Sequence, residues 1–307
     1  MSRKTAVVVF SYDRPEYTSA RLEELKHVDG DLIVSIDGPK QSANLDRFLD
    51  LEDKFSQSAK FLWMQKNNGT ARHIFNRITE LFTEFENVIV VEDDIEVECN
   101  TINALIKILD VRLPSDVMTI GLFSAMPGNC KIAKNFNHWR KSKFFSPWGW
   151  AIQKEDWELI KLDVSEELIR LDTSLTWHSL GKTAQSIWLS RFEKVIEYPD
   201  FTFDYQMFFW HIVFNKKQML PIFRLGDNIG FDSILSTRTK EKKPRWYLGK
   251  RGTISGKLEK GIMSNYKCNT LFEFLDSTFW AESNNFFTFI RRFRSVLQKF
   301  QIYSAPR

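Results

Sequence analysis

Val88-Ile89-Val90-Val91-Glu92-Asp93-Asp94 is a run of branched apolar residues that stops abruptly at three acids. Its apolar part has the unbroken character of a strand buried on both faces, as the strands of parallel sheets are. The acids then place three carboxylates at the end of that strand, where repulsion opposes them. A hard divalent cation relieves such repulsion, and oxygen ligands suit Mg²⁺ or Mn²⁺, which keep open positions for substrate phosphates. A solvated acidic turn or a helix N-terminus also accommodates acids. Taken alone, the stretch leaves both readings open.

Outward from this strand, the same character recurs at Thr5–Phe10 and Asp31–Ile36, with a shorter run at Lys60–Met64. Helical patterns alternate with them, from Pro15 to His27, over Leu45–Phe55 and over Thr70–Phe82. Asp37-Gly38-Pro39 and Asn67-Asn68-Gly69 are strong turn signals between these runs. Alternating strand and helix predicts an α/β fold with a mainly parallel sheet, right-handed crossovers and flanking helices. Such sheets take ligands at the carboxyl ends of their strands. Tyr12-Asp13-Arg14, Asp37-Gly38 and Glu92-Asp93-Asp94 all fall there. After Asn100 the pattern becomes mixed. A helix is expected at Thr101–Leu109, strands at Met118–Phe123 and Ser146–Ile152, and helices near Glu155–Leu162 and Thr183–Phe192. Arg224–Phe231 reads as loop, and there is no internal repeat.

With 307 residues, 43% of them hydrophobic, the chain can bury a full core, as one large domain or two small ones. No stretch reaches the ~18–20 uninterrupted apolar residues of a membrane-spanning helix. The apolar run Ala6–Phe10 falls short of the ~7–15 residues of a signal peptide's core, so a cytoplasmic chain is expected. Cys99, Cys130 and Cys268 are odd in number and widely spaced, which excludes a disulfide framework or a paired zinc-ligand pattern. The net charge of +4 is unevenly spread. The stretch from Arg238 to Lys260 carries +7 and the segment after Phe286 carries +5, leaving −8 on the remainder. An acidic body with two basic C-terminal segments is not the even basicity of a nucleic-acid binder, and fits phosphates on a ligand or a lipid surface.

Five motifs occur in a fixed order: Phe10-Ser11-Tyr12-Asp13-Arg14-Pro15, Ser35-Ile36-Asp37-Gly38-Pro39, Asn68-Gly69-Thr70-Ala71-Arg72-His73, Val90-Val91-Glu92-Asp93-Asp94 and Phe145-Ser146-Pro147-Trp148-Gly149-Trp150-Ala151. With Asp227-Asn228-Ile229-Gly230-Phe231, they give the chain a resemblance to GT-A nucleotide-sugar glycosyltransferases. It resembles the bacterial family 2-like transferases often labelled hemolytic-protein-like, and the N-acetylglucosaminyltransferase I type. The resemblance covers residues 5–235 or so and implies a GT-A domain over residues 1–235, Rossmann-like, with a mixed sheet. Residues 1–100 would be its nucleotide-binding half, residues 101–235 its acceptor half, and residues 236–307 a basic helical or loop extension.

The resemblance implies donor-binding roles for Asp13 and Arg14, the latter offering a fork of donors to phosphate. It implies that Asp37 accepts the uracil N3–H, although an Asp before Gly also stabilises a turn. Arg72 and His73 would hold ribose and phosphate, Asp93 ribose or a metal-bound water, and Asp94 the Mn²⁺ or Mg²⁺ ion. Trp148, Gly149 and Trp150 would form the floor between donor and acceptor sugars, a Trp-rich core strand being the other reading. An inverting transfer needs a general base, and Asp204 in Phe203-Asp204-Tyr205-Gln206 matches the family's acceptor-side aspartate, with Asp200 its rival and a helix N-cap the plain alternative. The family pattern has Ser-Trp after this Asp, where this chain has Tyr205-Gln206. The lone His178 and His211 read as structural. The implied activity is transfer from a nucleotide sugar, UDP-linked by preference, to a surface-polysaccharide or lipid-linked saccharide acceptor. A nucleotidyltransferase would carry a Gly-rich basic loop after the first strand, which Ser11-Tyr12-Asp13-Arg14 lacks, and a silent carbohydrate-binding protein would have less reason to keep the acids. Finally, Phe286, Phe289, Ile290, Phe293, Val296, Leu297 and Phe300 share one helical face opposite Arg291, Arg292, Arg294 and Lys299, which suits either packing on the parent domain or peripheral attachment to anionic lipid.

Overall fold

The computed structural model describes residues 3–38, 42–124, 139–231 and Asp276. Its first half is the expected alternation: β1 (Thr5–Ser11), α1 (Pro15–Leu25), β2 (Asp31–Ile36), α2 (Ser42–Phe55), β3 (Lys60–Trp63), α3 (Thr70–Leu81) and β4 (Asn87–Glu92). Then follow β5 (Ile95–Val97), α4 (Cys99–Leu109), β6 (Val117–Gly121), β7 (Trp139–Ser142), β8 (Trp150–Gln153) and α5 (Lys154–Trp157). A 3₁₀ segment (Ser165–Thr173), α6 (Leu175–His178), α7 (Lys182–Glu197), α8 (Asp204–Val213), β9 (Lys217–Pro221) and β10 (Gly226–Asn228) complete it.

Eight strands form one sheet in the order β3-β2-β1-β4-β8-β6-β9-β7. The β3-β2-β1-β4 half is entirely parallel, and β8 enters antiparallel between β4 and β6, so the sheet is mixed. Strand alternation explains the unbroken apolar runs. Ala6, Val8, Phe10, Val88 and Val90 face a core shared with α3, α7 and α8. Val7, Val9, Ile89 and Val91 face the opposite core, shared with α1, α2 and α4. Both faces of β1 and β4 are therefore covered, and no polar alternation is needed.

Register aligns the functional ends. Phe10 pairs with Glu92 and Ser11 with Ile36, so β1, β2 and β4 finish level with one another. The backbone pairing then runs on by one bond on each side, Asp37 N–H to Ser11 O and Asp93 N–H to Phe10 O, both at 3.0 Å. That fixes Asp37 and Asp93 on either side of β1's last residues.

The second half departs from the sequence reading in several places. The expected strand at Ser146–Ile152 begins only at Trp150, because Gly149 takes φ +77° and turns the chain before extension starts. A Cβ at Gly149 would be strained by that φ and would sit 3.2 Å from Leu122. The expected helix at Glu155–Leu162 is only the single turn α5. Beyond it, Ile160 N–H closes on Trp157 O, and the Lys161 carbonyl is taken by the Trp210 indole at 2.7 Å. Residues 224–231 are not simply loop: β10 pairs antiparallel with β5 in a two-stranded ribbon. The basic stretch 238–260 and the amphipathic face over 286–300 lie outside the described residues, as do Cys130 and Cys268.

Candidate donor site at the sheet's carboxyl edge

Arg14 immediately precedes α1, whose N1 position is Pro15, suited by its fixed φ to a helix start. From there its guanidinium reaches the acids that follow β4. It grips Asp93 with two nitrogens, one through a close contact to Oδ1 and Nε at 3.2 Å from Oδ2, while Nη1 lies 3.0 Å from Asp94 Oδ2. Burial works against the Arg14 charge, but Asp93 and Asp94 outweigh it and the guanidinium holds its proton more tightly than usual. Asp93 is 1% exposed. Burial raises its pKa in spite of Arg14, with the Asp94 charge adding to the rise. Ser11 donates to Asp93 Oδ2 at 3.4 Å.

Asp94 differs from Asp93 in one respect. Among the described residues its buried Oδ1 has no hydrogen-bond partner. A buried carboxylate oxygen left without a donor is costly, so the place suits a water molecule, an ion or a ligand atom. No group of three or more His, Cys, Asp or Glu side chains able to hold a metal occurs among the described residues. Mg²⁺-type sites, however, commonly use one or two carboxylates and fill the remaining positions with phosphate and water. The donor set therefore fits a cation held by Asp94 together with a phosphorylated ligand.

The ribbon of β5 and β10 closes the other side of Asp94. Ile229 N–H donates to Asp94 O at 2.8 Å, and Gly230 N–H to Asn228 Oδ1 at 2.8 Å. A Cβ on Gly230 would stand 2.6 Å from Asp94 Oδ2. Only a glycine lets the backbone approach the carboxylate this closely. Arg224 in turn holds Asp227 at 2.6 Å.

Asp204 is the first residue of α8. It is close enough to Glu92 for its charge to raise the Glu92 pKa, behind burial and Asp94 in importance. The fold thus brings Asp204, more than a hundred residues on, to the same end of the sheet as Glu92-Asp93-Asp94. Asp200 is engaged elsewhere, in a two-point pair with Arg72 at 3.1 and 3.2 Å.

Asp37 is 3% exposed and binds its own loop. Oδ1 accepts from Gly38 N–H at 3.2 Å and Asn68 N–H at 2.9 Å, and Oδ2 from Gly69 N–H at 3.1 Å. Burial raises its pKa while these three donors oppose the rise. A carboxylate has about four lone-pair sites, so one remains on Oδ2. Asp13 accepts from Asn44 Nδ2 at 2.9 Å. His73 is buried behind the edge, its Nε2 2.7 Å from Ser35 Oγ and its ring edge-on to Phe10.

The tryptophans separate. Trp148 is half-buried between Phe123 and Phe231, with centroids at 4.5 and 5.7 Å. Trp150 is 2% exposed and stacks on Phe203 within the core. It is a packing residue and not part of a cleft floor, because the turn at Gly149 sends the two indoles into different surroundings. His211 is fully buried and satisfied, between Thr119 Oγ1 at 2.8 Å and Met207 O at 2.7 Å. Ser11, Glu92 and Gly230 all stand in motifs of the sequence but were given no individual role there; that Gly230 meets Asp94, 136 positions away, is a fact of the fold.

No protein-family model matches this chain, and no curated protein matches it either. Solved structures do. The mannosyltransferase PcManGT from Pyrobaculum calidifontis, in complex with GDP-Man and Mn²⁺, is 12% identical over 50% of this chain and 46% of its own, with a TM-score of 0.38. Mannose-1-phosphate geranyltransferase from Thermus thermophilus is 13% identical over 74% of this chain and 77% of its own, at 0.40. GalNAc-T7 with UDP, GalNAc and Mn²⁺ is 9% identical over 73% of this chain and 44% of its own, at 0.39. The chain spans just under half the length of PcManGT and of GalNAc-T7.

Proposed function

We propose that this chain is a metal-dependent inverting glycosyltransferase that takes a sugar from a nucleotide diphosphate, UDP by preference, and places it on a saccharide hydroxyl. The observation that carries the reading is the Arg14–Asp93–Asp94 cluster at the carboxyl ends of β1 and β4, with one buried Asp94 oxygen left over for a cation. Asp94 would hold Mn²⁺ or Mg²⁺, which when bound supplies charge neutralisation of the departing diphosphate. Arg14 would exchange part of its grip on the two acids for phosphate oxygens, which accept the same planar fork of donors. Asp93 would face the ribose, beside Asp13. The remaining lone pair of Asp37 Oδ2 is where a uracil N3–H would donate, and Arg72 and His73 stand at the start of the neighbouring α3. Trp148, with Gly149, would line the sugar side.

Asp204 would act as the general base. Its carboxylate takes the proton from the acceptor hydroxyl while that oxygen bonds to the anomeric carbon and the carbon's bond to the diphosphate oxygen breaks. Its placement beside Glu92, at the head of α8, supports this role.

The acceptor in this reading is a surface polysaccharide or a lipid-linked oligosaccharide made at the cytoplasmic face, with residues 286–307 attaching the protein to anionic lipid. Residues 1–235 would be the catalytic domain and 236–307 the extension. The test is incubation of the full chain with a panel of nucleotide sugars and Mn²⁺, following donor hydrolysis. Cleavage of one donor class is expected. Cleavage of none, with or without acceptor oligosaccharides, refutes the reading.

A further inference from the structure

A buried relay lies behind the site: Arg77 Nε donates to Ser35 Oγ at 2.9 Å, and Ser35 Oγ lies 2.7 Å from His73 Nε2. Ser35 is 0% exposed, and His73 and Arg77 are each 4% exposed. An arginine Nε is only ever a donor, so one Ser35 lone pair is committed. The hydroxyl proton then needs an acceptor. The one in hydrogen-bond range among the described residues is His73 Nε2. Were Nε2 protonated instead, the serine would accept twice and its own buried proton would be stranded, at a cost of ~1–3 kcal/mol. Protonation of both ring nitrogens would add a second cation beside Arg77, whose charge is held by Glu80 at 2.5 Å from Nη1.

We propose that Ser35 and Arg77 are positioning residues that lock His73 as the neutral Nδ1–H tautomer, making it an uncharged N–H donor at the first turn of α3. Among the described residues Nδ1 has no hydrogen-bond partner, which leaves that donor for a ligand oxygen. Burial, with Arg77 adding to it, lowers the His73 pKa from 6.5 to about 3, in keeping with a neutral ring. The groups packed around the ring are Phe10 from β1, Ser35 from β2 and Arg77 from its own helix. That the oxygen belongs to a nucleotide rests on the reading under Proposed function; the tautomer does not.

The experiment separates the two. Long-range proton–nitrogen NMR correlations on the full chain with ¹⁵N-labelled histidine report which ring nitrogen carries the proton, and His73→Gln identifies the signal. The expected pattern is Nδ1–H at pH 6–8. Ser35→Ala should relax it toward mixed tautomers, and Ser35→Thr, which keeps the hydroxyl, should restore it. A wild-type ring protonated at Nε2, or at both nitrogens, overturns the proposal even if no variant folds. In parallel, calorimetric UDP affinity with Mn²⁺ should fall ~2–10-fold in Ser35→Ala, the worth of one hydrogen bond, and recover in Ser35→Thr. UDP affinity unchanged in Ser35→Ala, with the tautomer released, overturns the donor role. A wild-type chain with the Nδ1–H pattern but no UDP binding supports the lock and refutes the nucleotide reading instead.

Discussion

Gly230→Ala is the most localised perturbation of the candidate cation site. The added methyl would stand 2.6 Å from Asp94 Oδ2, 3.3 Å from its Cγ and 3.1 Å from Asn228 Oδ1. Ordinary contact begins near 3.4 Å, so the carboxylate and the ribbon must separate by about 0.8 Å. Neither side moves freely. Asp94 Oδ2 is bonded to Arg14, and residue 229 is bonded to the Asp94 carbonyl. Forcing an extra carbon into such a packed place costs ~1–3 kcal/mol of stability. The functional loss should be larger, since misplacement of a reacting group by ~1 Å can cost about 100-fold. Turnover of the nucleotide sugar, measured across a Mn²⁺ titration, should drop by one to two orders of magnitude with a weakened apparent metal affinity. Gly181→Ala is the control, because nothing lies within 4 Å of its Cβ position. Full turnover and unchanged Mn²⁺ dependence in Gly230→Ala would refute the idea that the ribbon sets the Asp94 carboxylate.

Three further outcomes are expected. Asp204→Asn should leave calorimetric donor affinity nearly unchanged and lower transfer by roughly 10²–10⁴-fold, the share of a general base; a large affinity loss with normal turnover would move Asp204 into the donor site. Asp276→Ala should destabilise the fold measurably in urea melts, because it removes a buried carboxylate that binds both Arg140 and Ser142, the Arg140 and Asp276 side chains each being 5% exposed. His211 is neutral in the fold, where burial lowers its pKa from 6.5 to about 4. Between those values the unfolded chain binds the extra proton, so this contribution is full above pH 6.5 and is lost as pH falls. The stability gap between wild type and His211→Gln should therefore narrow by about 2 kcal/mol from pH 7 to pH 5.

The first half of the fold was legible because its physics is local. Strands covered on both faces must be apolar throughout, and an alternation of apolar and polar residues is absent for that reason: Val7 and Val8 serve different cores. The second half was not, because its elements are short and set by distant partners. β10 exists through β5, more than a hundred residues earlier, and the chain beyond the single turn α5 is held by Trp210, which takes the Lys161 carbonyl. The site divides in the same way. Arg14 and Asp93-Asp94 follow strand ends and could be read directly. That Arg72 faces Asp200 and that Gly230 abuts Asp94 are facts of tertiary approach, with no trace in local spacing, whereas the core strand was one of two readings the sequence left open for Trp150.

The central claim is that Asp94 holds a cation against a nucleotide diphosphate. Its most direct test is donor hydrolysis by the full chain with Mn²⁺, with Mg²⁺ and after chelation, in wild type and in Asp94→Asn. Hydrolysis that requires the metal in wild type, and falls by at least two orders of magnitude in Asp94→Asn with the melting profile preserved, is the predicted result. Turnover that survives chelation, or an Asp94→Asn protein with wild-type rate and metal dependence, would contradict it.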